Sequence, residues 1–471
     1  MAESWPWTLA PWISTTHRQN LSPGLRRCSS FQLVPNGIRE GPQALGDFRG
    51  ERSETLMRIL FVHDVGRLIG GTEVQIQREI SGLQARGHEV RTVVGRERSR
   101  SGDFGDYTFR TPGQSLPKLA MLYNPAARKS VRRAVADFNP DIVHYHTLSK
   151  AGPSVLRDAA GRVRVASLHD YGVFYPLLPR VFPNEQVCGV GDVACCREHE
   201  GSRYYIERIR TAMRRRELLK LAAGAVPAAS RHYVERVRTA MMRRELFKLP
   251  AVVVPSGYVA NVARSLGLQN VVVVPGSIPY APQSTVAKKR EVAFVGRLEP
   301  EKGVLELVRE FALLSSAVPD VRLVIAGTGS QEGAVREAAS ALGDRVSVVG
   351  HVTPEEAQQI MASATVSAVP SLWPEPFGLV GPESMACGTP VVASGRGGMS
   401  EWLDDGRNGL RADPTERGAM AAALQRLLTD EELRIRCVSG AIQTAAAFDI
   451  PSHAVKLEEL YMRLLGWDTA G

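Results

Sequence analysis

The sequence lacks any run of about 18 uninterrupted apolar residues, the length that a membrane-spanning helix needs. It has only six cysteines in 471 residues, which excludes a small disulfide-stapled fold. Their scatter is more typical of a protein in a reducing cytoplasm than of a secreted one. Hydrophobic residues make up 44% of the chain, so it can bury real cores, and its length predicts about two or three domains.

Residues 1–56 differ from the rest of the chain. They combine Trp5, Trp7 and Trp12 with many Pro, Ser, Gly and Arg residues and show no sustained hydrophobic period. They also lack the basic segment, apolar core and cleavage site of a signal peptide. Because a buried strand begins at Met57, we expect Met57 to be the natural start and residues 1–56 to be a disordered or non-native leader.

The segment from Met57 to about residue 280 alternates short apolar strands with amphipathic helices. Gly66, Gly70 and Gly71 are predicted to form the turn that follows the first strand, and Gly87 the end of the first helix. The predicted strands are 59–65, 89–94, 142–146 and 163–168, and the first predicted helix is 73–85. This alternation predicts a parallel sheet covered by helices.

A second alternation begins after the linker at 275–290, which is rich in Pro, Ser and Lys. Its predicted strands are 292–295, 322–326, 346–349, 366–369 and 391–393. The chain is therefore predicted to have two Rossmann-like α/β lobes, 57–280 and 281–450, with a crevice between them and a C-terminal helical extension at 451–471.

A basic repeat interrupts the N-terminal lobe. Arg203–Leu221 reappears as Arg231–Leu249 with 14 of 19 positions identical, which indicates a tandem duplication rather than a solenoid. Arg203 to Lys248 holds 13 Lys and Arg against 4 Asp and Glu. We expect two basic helices, one of them an insertion. They are either solvated faces or a surface for an anionic membrane, because aromatic interleaving for nucleic acid is absent.

Cations and carboxylates in the C-terminal lobe fit a phosphorylated sugar ligand. Arg297 and Lys302 follow the first strand of this lobe, at the edge where the crevice of such sheets opens, and could grip phosphate oxygens. Glu375 precedes a helix predicted to begin near Gly378, and Glu383 lies within it. The free amides at that helix start could bind phosphate. Taken singly, the lysine could be merely solvated and either glutamate could merely favour the positive helix end.

Six motifs together resemble one family. Residues 291–428 resemble the donor lobe of retaining glycosyltransferases of the GT-B fold, specifically glycosyltransferase family 4. The family pattern has two glutamates around a Phe-Gly-Leu core, matched here by Glu375, Phe377-Gly378-Leu379 and Glu383. The flanking matches are Phe294–Arg297 with Lys302-Gly303, Ile325–Gly329, Gly388–Val392, Gly397–Glu401 and Asp405–Leu410.

The resemblance implies a role for each matching residue. Arg297 and Lys302 would bind the diphosphate and stabilise the leaving group, Glu375 would bind donor-sugar hydroxyls, and Glu383 would hold the ribose. The backbone of Phe377, Gly378 and Leu379 would contact sugar and phosphate, and that of Gly350 to Val352 would border the base. The family implies a metal-independent enzyme that uses a nucleotide diphosphate sugar as co-substrate and needs no cofactor.

The N-terminal lobe resembles the family more loosely. Gly70-Gly71-Thr72-Glu73 is similar to its glycine loop, which implies donor contact at Gly71. The 140–146 segment resembles its internal strand. Leu168-His169-Asp170-Tyr171 resembles its His-Asp strand end, which implies that His169 lies beside the donor sugar; the alternative is a structural histidine.

The sequence departs from the family in the basic repeat and in a cluster of Cys188, Cys195, Cys196 and His199, whose spacing is not a standard zinc pattern. Free thiols in a loop on the acceptor side are expected there rather than a metal. The resemblance implies transfer of a hexose-type sugar to a glycan, lipid-linked or small-molecule acceptor. The alternatives are a catalytically inactive nucleotide-binding or membrane-docking scaffold and a two-lobe sugar-nucleotide epimerase.

Overall fold

Two parallel β-sheets organise the chain. The computed structural model describes residues 56–66, 70–96, 105–111, 122–172, 230–279 and 286–467. Within these ranges the first sheet has the order β3-β2-β1-β4-β5-β6-β7. Its strands are β1 (Arg58–His63), β2 (Glu89–Arg96), β3 (Tyr107–Arg110), β4 (Ile142–His146), β5 (Val163–Ser167), β6 (Ala251–Val254) and β7 (Val271–Val273).

The second sheet has the order β10-β9-β8-β11-β12-β13, and all its strand pairs are parallel. Its strands are β8 (Lys289–Val295), β9 (Arg322–Ala326), β10 (Val346–Gly350), β11 (Ala364–Val369), β12 (Val391–Ala393) and β13 (Gly409–Arg411). The predicted architecture of two Rossmann-like α/β lobes is thereby confirmed.

Helices cover both sheets. Those described in the first half are α1 (Gly71–Ala85), α2 (Pro125–Phe138), α3 (Ser230–Leu246) and α4 (Gly257–Ser265). The second half contributes α5 (Val304–Ala317), α6 (Glu332–Ser340), α7 (Pro354–Ser363), α8 (Val380–Ala386), α9 (Ala419–Thr429), α10 (Glu431–Ala446) and α11 (Ile450–Leu465). Strands such as β1 read as continuous apolar runs because helices bury both sheet faces. No helix in these ranges is both long and apolar enough to cross a bilayer.

The C-terminal helix α11 returns to the first lobe. Leu457, Leu460 and Tyr461 pack in the same buried cluster as Ile59 and Phe61 of β1. The Tyr461 hydroxyl also lies 2.6 Å from Nδ1 of His144 on β4. The last element of the chain therefore completes the wall of the N-terminal lobe.

The second copy of the basic repeat is a structural part of the N-terminal lobe. Met242 and Leu246 of α3, with Leu249 just after it, are buried in the lobe core, and Glu245 accepts a hydrogen bond from Arg157. Exposed cations in this copy include Arg244 and Lys248, whereas Arg238 is buried. The second copy is therefore the helix that belongs to the lobe, and the expectation that one of the two copies is an insertion remains a prediction. The first copy lies outside the described residues, as do residues 1–55 and the cluster of Cys188, Cys195, Cys196 and His199.

Two predicted boundaries shift at glycines. The helix predicted near Gly378 begins instead at Val380, because Gly378 has a φ of +80° that a right-handed helix cannot use. Gly71, predicted as part of a turn, is the first residue of α1, and Gly70 caps the helix. Glu73 stabilises this start, since its Oε2 accepts the Gly70 N–H at 2.9 Å.

Candidate functional site

A buried ion pair occupies the crevice edge of the second sheet. Lys302 ends the short turn after β8, and Glu375 lies in the loop after the neighbouring strand β11. Nζ of Lys302 is 2.7 Å from Oε1 of Glu375, and their side chains are 21% and 6% exposed. The Ser371 hydroxyl donates to the same oxygen at 2.5 Å. Parallel topology thus brings together two predicted site residues that are 73 positions apart.

The surroundings of Glu375 keep it ionised. Burial alone would raise its pKa, but the charge of Lys302 and the hydrogen bonds from Lys302 and Ser371 hold the pKa below its usual value. The Lys302 ammonium also lies 5.3 Å from the centre of the Trp373 ring. This arrangement offers a fixed carboxylate for hydroxyl groups and a cation for an anionic group.

Close backbone packing fixes the loop that carries Glu375. The Gly398 N–H donates to the Glu375 carbonyl at 2.7 Å, and a Cβ on Gly397 would lie only 2.5 Å from that carbonyl oxygen. Both glycines belong to the Gly397–Glu401 motif that matches the family. In the structure they allow one loop of the site to press against another.

The turn before α8 presents three backbone N–H groups. Among the described residues, those of Phe377, Gly378 and Leu379 have no hydrogen-bond acceptor within the protein. The Phe377 carbonyl is held by Nε1 of Trp402 at 2.6 Å, which fixes the orientation of the turn. Exposed N–H groups at such a turn are well suited to a phosphate or a sugar oxygen.

Glu383 is joined to the other lobe. Nη2 of Arg78, on α1, donates to Oε1 of Glu383 at 2.8 Å, and the two side chains are 12% and 23% exposed. Arg78 was not among the predicted site residues. The two positions are 305 residues apart, so no local motif could have indicated the pair.

The remaining predicted donor-lobe residues lie apart from the ion pair. Arg297 is 59% exposed and pairs with Glu301 at 2.8 Å rather than with Glu375. Gly350 ends β10, has a φ of +78°, and accepts the Gly327 N–H at 2.7 Å. Val352 is half-buried just beyond it. Arg297 and Gly350 lie at the same carboxyl edge of the sheet as Lys302, where a ligand could be reached from several strands.

On the N-terminal lobe, half-buried His169 contacts a pair of buried histidines. Its Nε2 lies 3.0 Å from Nδ1 of His146, whose ring is 4.2 Å from that of His144. Burial lowers the pKa of all three, that of His144 to about 4. The neutral rings are therefore hydrogen-bonding groups at neutral pH. The cluster had one signal in the sequence, two histidines at alternate positions of an apolar strand.

A metal ion would find few free ligands in this cluster. Glu79, His144 and His146 have ligand atoms within 4.8 Å of one another. Both nitrogens of His144, however, already contact Tyr461 and Ser167. That leaves Oε2 of Glu79 and Nε2 of His146, 3.8 Å apart, fewer than the four ligands typical of zinc.

An aromatic contact joins the two halves of the site. The Tyr171 ring, two residues after His169, meets the Trp373 ring of the C-terminal lobe edge-on at 5.7 Å. The Ser256 hydroxyl adds a hydrogen bond across the crevice to the Pro376 carbonyl at 2.6 Å. The loop carrying Glu375 therefore packs against the strand end that carries His169.

Family comparisons agree with this arrangement. The model described as "Glycosyltransferase Family 4" matches residues 69–280, and the model "Glycosyl transferases group 1" matches residues 261–444. The chain belongs to glycosyltransferase family 4. The GT-B fold expected from the motifs is confirmed by both sheets and by the solved structures that resemble this chain.

Similar family members cover only parts of the chain. D-inositol 3-phosphate glycosyltransferase of Corynebacterium glutamicum is 38% identical over 178 residues, 36% of this chain and 42% of that protein. Glycogen synthase of Mycobacterium tuberculosis is 32% identical over 206 residues, 42% of this chain and 49% of that protein. The chain thus matches about half or less of the length of these relatives.

Solved structures match over both lobes. Sucrose-phosphate synthase from Thermosynechococcus elongatus has a TM-score of 0.63 and 21% identity, and the match covers 88% of this chain and all of that one. HepE of Anabaena, solved with UDP and glucose, has a TM-score of 0.58 and 21% identity over 86% of this chain and all of that one. At these identities the likeness shows the fold.

Proposed function

We propose that this family 4 protein transfers a hexose-type sugar from a nucleoside diphosphate sugar to an acceptor hydroxyl, with retention at the anomeric carbon and without a metal. The observation that carries the proposal is the buried pair of Lys302 and Glu375 beside the free amides of Phe377, Gly378 and Leu379. The cation and amides suit a diphosphate, and the carboxylate suits sugar hydroxyls. The UDP and glucose bound by HepE of Anabaena support this choice of ligand.

The state of Glu375 favours one route to retention. Double displacement needs a carboxylate free to attack the anomeric carbon. Lys302 and Ser371 already donate hydrogen bonds to Oε1 of Glu375. These bonds make the carboxylate a poor nucleophile but still let it accept hydrogen bonds from sugar hydroxyls. We therefore propose front-face attack, in which the leaving phosphate accepts the proton of the acceptor hydroxyl while Lys302, with Arg297, stabilises the phosphate charge.

The acceptor is proposed only by class. A glycan, a lipid-linked sugar or a small molecule would each present a hydroxyl at the N-terminal lobe, beside His169 and Gly71. The proposed setting is cytoplasmic, with glycan or glycolipid synthesis as the process. Contact of residues 203–249 with an anionic membrane is part of this proposal.

A donor screen tests the proposed function. The full chain is incubated with common UDP-, GDP- and ADP-sugars in EDTA, and slow release of the nucleoside diphosphate is followed. We expect release from one donor and a loss of about 100-fold or more in Glu375→Ala, because a fixed partner of the reacting sugar is removed. Glu337→Ala, an exposed glutamate on α6, serves as the matched control and should keep wild-type release.

Two outcomes would contradict the proposed transfer reaction, and a third would contradict its independence of metal. Absence of both binding and release with every donor would favour a scaffold role. Conversion of the bound sugar to its epimer without nucleotide release would favour the epimerase alternative. Release that needs a divalent cation would overturn the metal-independent mechanism alone.

A further inference from the structure

Arg78 connects three parts of the molecule. From α1 of the N-terminal lobe, its Nη1 donates to the Ser277 carbonyl at 2.7 Å, in the segment between β7 and β8. Its Nη2 donates to Oε1 of Glu383 on α8 at 2.8 Å. Because the guanidinium is planar, the hydrogen bond from Nη1 fixes the direction in which Nη2 donates, which a lysine could not do.

The Ser277 carbonyl that accepts from Arg78 lies in a segment held by other hydrogen bonds. One turn earlier on α1, Oε1 of Gln75 accepts the Ser277 N–H at 2.9 Å and lies 3.2 Å from the Ser277 hydroxyl. His453 of α11 contacts the Pro275 carbonyl through Nδ1 at 2.6 Å. The Ser277 carbonyl is therefore a fixed point, and the Arg78 fork has little freedom to swing away from Glu383.

The contact leaves Glu383 able to bind a ligand. Arg78 takes Oε1, and no described residue donates a hydrogen bond to Oε2. A glutamate fixed in one orientation binds hydroxyl groups without first losing its rotamer freedom. The hydrogen bond from Arg78 of the other lobe also holds the carboxylate in one direction.

We infer that Arg78 is a positioning residue that fixes Glu383 for the ribose hydroxyls of the donor and thereby links ribose recognition to the N-terminal lobe. The inference rests on the proposed function, since it assumes a nucleotide donor with its ribose at Glu383. To the proposed donor site it adds Arg78, a residue of the opposite lobe. It also assigns to Arg78 control of the part of the binding free energy that comes from the ribose hydroxyls.

Calorimetric titration of the full chain with UDP, GDP and ADP, and with their 2′,3′-dideoxy counterparts, tests the inference. The wild type should prefer the ribose form of the diphosphate that binds by about tenfold or more, the usual effect of hydrogen bonds to a charged group. Arg78→Met should reduce that preference to less than about threefold, by weakening the ribose form and leaving the dideoxy form nearly unchanged.

Arg86→Met is the matched control. Arg86 follows α1 directly and pairs with Glu458 of α11, so this variant also loses an ion pair of α1 but should keep the wild-type preference. Thermal denaturation of each variant checks folding. Equal weakening of both ligand forms in Arg78→Met, or an unchanged preference, would overturn the inference. If no diphosphate binds even to the wild type, the proposed function fails, and the inference fails with it.

Discussion

Replacing Lys302 with methionine is expected to reduce turnover of the donor by about 10²–10³-fold, the usual effect of removing one fixed group that stabilises developing charge. Methionine keeps the apolar stem beside Trp373 and removes the ammonium that lies 2.7 Å from Glu375. Stopped assays of nucleoside diphosphate release at saturating donor measure this loss in kcat.

The same substitution should also destabilise the fold, because it leaves the Glu375 carboxylate buried without its counter-charge. Such a loss costs about 3–5 kcal/mol in the free energy of unfolding. Adding Glu375→Gln removes the unpaired charge, so the double variant should regain most of the stability in urea unfolding but none of the turnover. Regained turnover in the double variant would show that Lys302 acts on stability only.

Lys288→Met is the control for a lost lysine in the same lobe. Nζ of Lys288 is partly buried and donates to the Cys387 carbonyl at 3.3 Å and to the Thr389 hydroxyl. Among the described residues it contacts none of the predicted donor site, so the turnover of Lys288→Met should stay within a few-fold of wild type. A loss equal to that of Lys302→Met would contradict a specific role for Lys302.

Gly303→Ala is expected to damage both stability and activity. Gly303 has a φ of +67°, and an added Cβ would lie 2.1 Å from the Pro370 carbonyl oxygen. Strained backbone and forced displacement together cost about 3 kcal/mol or more. Because Pro370 begins the loop that carries Glu375, relief of the clash should also pull Glu375 away from Lys302. Urea unfolding and turnover measured on one preparation report both effects.

Gly333→Ala provides the matched control for Gly303→Ala. Gly333 lies within α6, and an added Cβ there would meet nothing within 4 Å. The alanine should be neutral or stabilising by about 0.5–1 kcal/mol, since it removes the entropy cost of a helical glycine. If both alanine variants are equally stable and active, the close approach at Gly303 does not constrain the site.

Elements that depend on local residue patterns could be predicted from the sequence. Strands such as β9 and β12 carry continuous apolar runs that end close to a glycine, so their bounds could be predicted from the sequence. Lys302 and Glu375 could be expected near each other because both follow strands of one parallel sheet. The roles assigned to these residues by family resemblance remain predictions.

Features that depend on distant contacts could not be read in the same way. The return of α11 to the first lobe depends on Tyr461 meeting His144, 317 positions earlier. The pair of Arg78 and Glu383 joins the two lobes, and Arg78 alone resembles any charged residue on a helix surface. The surface pair of Arg297 and Glu301 is another contact that the motif did not indicate, and the role of Arg297 toward phosphate remains a prediction.

The most direct test of the central claim is ¹H NMR of the sugar released at early times from the α-linked donor that the screen identifies. We predict that the α-anomer appears first and that Lys302→Met slows its appearance by about 10²–10³-fold. Initial release of the β-anomer would contradict retention, and undiminished release by Lys302→Met would contradict the assignment of the catalytic site.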